Sequence, residues 1–283
     1  MKPFFQRLPP LLSPLICVAC TTTGIAAWAQ DAEGQPLWEI GGIALGVSQQ
    51  AYPGSDQQVG RALALPFFVY RGQVLRAERG FLGVRAMQNP TFELDVGFSG
   101  ALGSNSNSID ARKGMPNLGT LIEMGPRIKW NLGSAPGEGK WRAELPLRAV
   151  FDISDGGAHR GFSFEPEMVY ERRSKGGWRY NTSFGALIAD QHLAATIYEV
   201  SPQQATLARH AYSAQSGLVS FRLASSFSRS LTPDWRLFGF ARLDTVAGSA
   251  NKNSPLVRQT TGMTMGVGVA YTWTRSSELA SGN

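Results

Sequence analysis

Cysteine is almost missing from this chain: its 283 residues include two, Cys17 and Cys20, both within the first 29 positions. A disulfide framework is therefore excluded for everything after them. Histidine is nearly as scarce, with three copies, and no His-x-His or His-x3-His spacing suits a metal ion. Charged residues reach only 17%, against roughly 25% in an average soluble domain. After the N-terminus no run approaches the ~18 consecutive apolar residues of a membrane helix, which excludes a helical bundle in lipid. Disorder is excluded as well, because hydrophobic residues make up 43% and such a chain can bury enough apolar surface to fold. What is abundant is glycine, at 32 residues, within a chain of 27 Lys and Arg against 21 Asp and Glu, net +6.

The first residues read as an address. Lys2 and Arg7 give a cationic start, Leu11 to Cys20 an apolar core, and Ala27-Trp28-Ala29 a small-x-small cleavage site before Gln30. This is the layout of a secretory signal peptide; Pro9, Pro10 and Pro14 would interrupt a buried helix. A lipoprotein box ending at Cys20 is the alternative. Removing residues 1–29 takes away both cysteines, Lys2 and Arg7, so the 27 cations become 25 and the net charge +4. The remainder, residues 30–283, is expected to be one domain.

From Trp38 onward the chain alternates. Phe92, Leu94, Val96 and Phe98 oppose Glu93, Asp95, Gly97 and Ser99. Ile122, Met124, Ile128 and Trp130 oppose Glu123, Gly125, Arg127 and Lys129. Trp141, Ala143, Leu145, Leu147, Ala149 and Phe151 stand against Arg142, Glu144 and Arg148. Phe162, Phe164, Met168 and Tyr170 oppose Ser163, Glu165, Glu167 and Glu171, and Met263 to Trp273 oppose Thr264, Gly266, Gly268 and Ala270. Period two places each set on one face of a sheet. No run shows a helical period.

A soluble sandwich and a membrane barrel both predict alternation. Strand length favours the barrel: these stretches exceed the ~5–6 residues usual in soluble sheets and match a tilted membrane crossing. Aromatics at strand ends (Trp38, Tyr70, Trp130, Trp141, Tyr170, Trp178, Trp235, Tyr271, Trp273) suit an interfacial girdle. Strands are expected at 37–47, 61–70, 73–78, 81–88, 91–102, 119–132, 140–152, 161–172, 177–189, 217–231, 234–247 and 261–274. That is twelve, an even number that returns both termini to the periplasm. Merging 73–88 into one bent strand would give eleven. The expected fold is an all-β transmembrane antiparallel up-and-down barrel of a Gram-negative outer membrane, after a cleaved signal peptide. Its partners would include outer-membrane lipid and lipopolysaccharide.

Signs of chemistry are sparse. His159, His192 and His210 all fall in expected loops; His210 and Ser213 are the nearest Ser–His pair, with little specificity. Glu165 and Glu167 share a strand face and could in principle form a glycosidase pair. The competing assignment makes them lumen charges, together with Glu123, Arg127, Lys129, Arg142, Glu144 and Arg148. No glycine-rich phosphate loop precedes a helix, and no cofactor is implied. Lys140, Arg172, Arg173 and Lys175 collect at expected periplasmic turns, where acidic wall groups or lipid phosphates could meet them. Scattered cations on an exported chain argue against nucleic acid.

An ordered series of short motifs is similar to the MipA/OmpV family of outer-membrane proteins, the MltA-interacting proteins. It comprises Ala51-Tyr52-Pro53-Gly54-Ser55, Leu65-Pro66-Phe67-Phe68-Val69-Tyr70-Arg71, Arg79-Gly80-Phe81-Leu82-Gly83 and Gly125-Pro126-Arg127. Tyr198-Glu199-Val200-Ser201, Leu231-Thr232-Pro233-Asp234-Trp235, Asn253-Ser254-Pro255-Leu256-Val257 and Gly266-Val267-Gly268-Val269-Ala270-Tyr271 complete it. The resemblance implies a non-enzymatic scaffold that holds a lytic transglycosylase, a murein hydrolase, near a penicillin-binding murein synthase. Alternatives are a small diffusion channel or solute transporter and, further off, a barrel enzyme acting on lipid. Family members commonly end in an aromatic, whereas ten residues, Thr274 to Asn283, follow Trp273 here.

Overall fold

The computed structural model describes residues 34–72, 75–78, 81–88, 91–101 and 103–280, with side chains for these except 75–78, 81–88 and 98–101. The expected leader and the links at 79–80 and 89–90 lie outside the described residues. The strands are β1 (Trp38–Gln50), β2 (Gln58–Arg71), β3 (Leu75–Glu78), β4 (Phe81–Gln88), β5 (Phe92–Ala101), β6 (Leu121–Ala135), β7 (Gly139–Asp152), β8 (Ala158–Phe164), β9 (Glu167–Arg173), β10 (Trp178–Ala189), β11 (Gly217–Ser230), β12 (Trp235–Thr245) and β13 (Thr261–Arg275).

Consecutive strands pair antiparallel except β8 with β9, and β13 pairs with β1 from Glu39↔Arg275 to Ser48↔Met265, so the sheet closes on itself. Closure matters in lipid, where an unpaired edge would leave backbone groups without hydrogen bonds. β8 and β9 both lie between β7 and β10. They are two halves of one stave, where the sequence suggested a single strand over 161–172. The break falls at Glu165-Pro166: proline has no N–H to give the ladder, and the Pro166 carbonyl still accepts from the Ala186 N–H at 3.1 Å. Among the described residues, thirteen segments therefore make twelve staves, an even count.

Alternation sorts the two faces as expected. On β13, Val267 is 57% and Trp273 60% exposed, while Thr264 is 2% exposed. The outward row faces lipid and the inward row fills the lumen. Glycine sits where an inward neighbour is large: a Cβ on Gly268 would lie 2.7 Å from the Phe238 ring and 2.6 Å from the Ala44 carbonyl. Short turns at 136–138, 174–177 and 231–234 share one end with the termini, which is the periplasmic end. There the tail folds back on the start of the barrel. Leu37 N–H donates to the Glu278 carbonyl and Ala280 N–H to the Gln35 carbonyl, both at 2.8 Å.

The long connections at the other end build a cap, and here the sequence reading needs correction. Residues 190–216 hold an α-helix, α1 (Gln191–Tyr198), where no helix was expected. With eight residues, its period is too brief to stand out. Asp190 caps it by accepting the Leu193 N–H at 2.9 Å. Leu193, Ala194 and Tyr198 point into the barrel mouth and pack on Val150, Leu187, Ala189 and Val219 of the strands. Gly161 makes room for the helix start: its φ is +112°, and a Cβ there would come within 2.6 Å of the Leu193 nitrogen. A second cluster joins Tyr52, Ile109, Met115, Val200 and Leu256 from four different loops.

Candidate functional site

Three regions could act: the cap, the lumen and the periplasmic rim. In the cap, buried polar side chains bind loop backbones together. The Tyr198 hydroxyl donates to the Pro53 carbonyl (3.0 Å) and the Tyr52 hydroxyl to the Leu256 carbonyl (2.7 Å). Arg112 donates to the Ile197 carbonyl (2.9 Å) and stands 5.7 Å from the centre of the Tyr52 ring. Arg209 donates to the Ala111 and Lys113 carbonyls, both at 3.0 Å, and to the Gln204 carbonyl at 2.7 Å. Burial pushes the Tyr52 phenol up to about 12, with Arg112 pulling the other way. Burial likewise draws Arg112 down to about 10, so it stays a cation at neutral pH. Fixed donors aimed at carbonyls from several loops make the cap one unit rather than separate excursions.

Seven of the eight charges expected in the lumen are joined in ion pairs. Arg127 of β6 reaches Asp95 of β5 at 2.8 Å and Glu144 of β7 at 3.3 Å. Lys129 joins Glu93 (3.1 Å) and Asp95 (2.9 Å), and Arg142 joins Glu144 (2.7 Å) and Glu171 (3.1 Å). Arg148 pairs with Glu123 at 3.0 Å, and Glu165 with Arg222 at 2.7 Å. Glu167 lies directly across from Glu144 in register and takes a hydrogen bond from Ser183. Asp95 and Glu144 are each 1% exposed, so their charges are tolerable only because several cations share them. Glu165 and Glu167 belong to this packed layer, and Glu165 is already engaged by a guanidinium.

Three further groups escaped the sequence reading: Arg71–Glu39 (2.7 Å) near the termini, Arg222–Asp244 (3.1 Å) and Arg242–Asp244 (2.7 Å). The reason is visible in β12. Its inward row mixes Phe238 and Phe240 with Arg236, Arg242 and Asp244, while its outward row holds Trp235, Leu237 and Leu243 with Gly239 and Ala241 between them. Large apolar side chains on both rows keep hydropathy from separating the faces. Only the register with β11, Arg222↔Asp244, separates them.

The histidines are placed differently from expectation. His159 lies on β8 and His192 on α1, with ring centres 5.9 Å apart, and only His210 is in a loop. His159 packs between Phe151 (5.4 Å) and Phe162 (5.0 Å), and His210 and Ser213 are both exposed. Among the described residues no cluster of three His, Cys, Asp or Glu could hold a metal ion.

The four rim cations lie at the same end of neighbouring strands. β7 and β9 pair through Gly139↔Arg172 and Lys140↔Glu171, and β9 and β10 through Arg173↔Arg179. Lys140, Arg172, Arg173 and Lys175 are all exposed. The Tyr170 hydroxyl donates to the Pro136 carbonyl at 2.8 Å, tying the β6–β7 turn to β9. Aromatics form the girdle just above: Trp141 on Tyr170 (5.3 Å), Trp178 on Tyr180 (6.2 Å) and Trp235 on Tyr271 (4.7 Å).

The profile of the family described as MltA-interacting protein MipA matches residues 41–273. No curated protein matches the chain. Among solved structures it is similar to the NanC porin, with 10% identity, 81% of this chain and 98% of that one covered, and a TM-score of 0.39. OmpT, an outer-membrane protein of Vibrio cholerae, gives 7% identity over 84% and 100% of the two chains, TM-score 0.36. The COG4313 outer-membrane channel of Pseudomonas putida F1 gives 11%, 86% and 98%, TM-score 0.33.

Proposed function

The chain belongs to the MltA-interacting protein MipA family, and from that premise we propose that this outer-membrane barrel is a non-enzymatic scaffold for murein enzymes. The family description names MltA as the interacting protein, and the reading takes that partner to be a lytic transglycosylase with a murein synthase held beside it. The observation that carries it is the contrast between the two ends. The extracellular mouth is filled by α1 and its apolar contacts, and the lumen below is filled by paired charges. The periplasmic rim keeps Lys140 and Arg173 exposed at strand ends and Lys175 exposed in the turn after β9. A barrel fixes its own position in the membrane. A rim that binds two enzymes converts their encounter into a local event at raised effective concentration. The chain itself performs no chemical step in this reading.

The test is crosslinking in intact envelopes followed by capture of the barrel, comparing the native chain with a Lys140→Ala, Arg173→Ala, Lys175→Ala variant. Recovery of a lytic transglycosylase and a murein synthase with the native chain, reduced in the variant, is expected. Their consistent absence from the native capture would end the scaffold reading.

One observation favours a small channel instead. Ser163, Ser220, Ser228 and Thr264 face the lumen with hydroxyls that no group among the described residues bonds. Buried hydroxyls of this kind are ordinarily satisfied by water, and a hydrated lumen could pass small solutes. Steady ion-selective conductance of the purified barrel in a planar bilayer would establish that function in place of a purely tethering one.

A further inference from the structure

We infer that the lipid-facing surface across β7, β9, β10 and β11 is a binding site for an anionic phospholipid of the periplasmic leaflet. This goes beyond the scaffold reading and rests on different atoms. Outward rows in a membrane barrel are ordinarily free of charge, because an ion facing hydrocarbon is costly. Yet in the periplasmic halves of β9, β10 and β11 the outward rows carry two, Arg172 and Arg229, both exposed. Register places them on either side of β10: Arg172 pairs with Tyr180 and Arg229 with Trp178. The two rings stack at 6.2 Å, and the Arg229 guanidinium stands 5.3 Å from the Trp178 ring centre. Two guanidiniums beside stacked aromatics at the height of the girdle form a phosphate-seeking site, since planar N–H donors match phosphate oxygens.

The apolar half of the site adjoins it. Going toward the membrane centre from Arg172, the outward row of β9 continues through Tyr170 and Met168, opposite Thr182 and Phe184 of β10. With Leu132 and Trp141, these side chains line a groove of about 470 Å³ on the lipid face. Met168 and Tyr170 of this groove lie on the same outward row as Arg172, so an acyl chain laid along that row would bring its headgroup to the arginines. The charge also selects the leaflet: this end carries the termini and the short turns, and phospholipid rather than lipopolysaccharide meets a barrel there. Arg172 thus belongs to the lipid face, while Lys140, Arg173 and Lys175 remain for a periplasmic partner.

Native mass spectrometry of the full-length mature barrel in mild detergent, titrated with phosphatidylglycerol or with phosphatidylcholine of the same chains, tests the assignment. Phosphatidylglycerol should be retained preferentially. Arg172→Gln and Arg229→Gln should each weaken it about fivefold, the effect expected of one cation at a charged membrane surface, and leave phosphatidylcholine unchanged. Met168→Trp, which fills the groove, should weaken both lipids. Heat-modifiable gel mobility confirms that each variant is folded, and the Lys140, Arg173, Lys175 variant should retain phosphatidylglycerol normally, which separates this outcome from the scaffold test. Equal retention of both lipids by the native barrel, arginine variants that bind phosphatidylglycerol as before, or preferential displacement by lipid A would each overturn the inference.

Discussion

Tyr198 holds the cap in place, and its replacement offers the sharpest test of whether the barrel is sealed. The side chain is fully buried, its ring packs among Leu193, Leu187 and Val150, and its hydroxyl donates to the Pro53 carbonyl. Tyr198→Phe removes that one hydrogen bond and should cost about 1 kcal/mol. Tyr198→Ala removes the ring as well and leaves a cavity between α1 and the strands, at about 3–5 kcal/mol. Because the ring touches loop and barrel together, most of this loss falls on the equilibrium between docked and undocked cap, not on the strands. At 1.4 kcal/mol per tenfold, the undocked fraction should rise roughly 10²- to 10⁴-fold for Ala and about fivefold for Phe. Trypsin reports the undocking, since cleavage after Arg209 requires its buried guanidinium to leave the three carbonyls that hold it. Planar-bilayer conductance reports whether the mouth has opened. Faster cleavage with new conductance in Tyr198→Ala, and a small effect in Tyr198→Phe, is the expected pattern. A native protein that already conducts, or an alanine variant cleaved no faster than the native chain, would refute the sealed mouth.

Three other outcomes follow from the same geometry. Arg127→Met leaves Asp95 with Lys129 and Glu144 with Arg142; the remaining partners should hold the loss to about 2–3 kcal/mol, below the ~3–5 of an unshared buried pair, as read by urea unfolding in liposomes. Gly268→Ala drives a Cβ against the Ala44 carbonyl and the Phe238 ring, and should destabilise the barrel by about 1–3 kcal/mol in that assay. The third concerns alkali. A phenol raised from about 10 in the unfolded chain to about 12 in the cap favours the folded state while protonated. That stabilisation is full below about pH 10 and lost as the pH climbs toward 12. Titration at 295 nm should show Tyr52 ionising after the exposed tyrosines, together with release of the cap, and ionisation of all tyrosines in one step near pH 10 would contradict the burial of that ring.

Much of this was legible in the sequence because β-structure in a membrane obeys a short-range rule. Side chains alternate, and lipid enforces apolarity on one row. That rule set the charges from Glu123 to Glu167 on one row of their strands, and it gave an even stave count. It failed where its premise failed. On β12 two phenylalanines turn inward beside Arg242 and Asp244, so that row did not read as polar. On the β8–β9 stave Pro166 interrupts a pattern that otherwise reads as continuous. In the 190–216 loop, eight residues were too few to display helical period, although Asp190 three residues before the Leu193 N–H is a recognisable cap.

The sequence by itself determined the barrel, its address in the outer membrane and which strand faces meet lipid, because each depends on residues within one strand. The tertiary structure decided what no single strand contains. It showed which carboxylate each guanidinium answers, that α1 and four loops join into a plug held by Tyr198, Arg112 and Arg209, and that Arg172 and Arg229 stand on either side of the same two aromatics. Those contacts join residues far apart in the chain, and only closure of the sheet, with its fixed register, brings them within reach of one another.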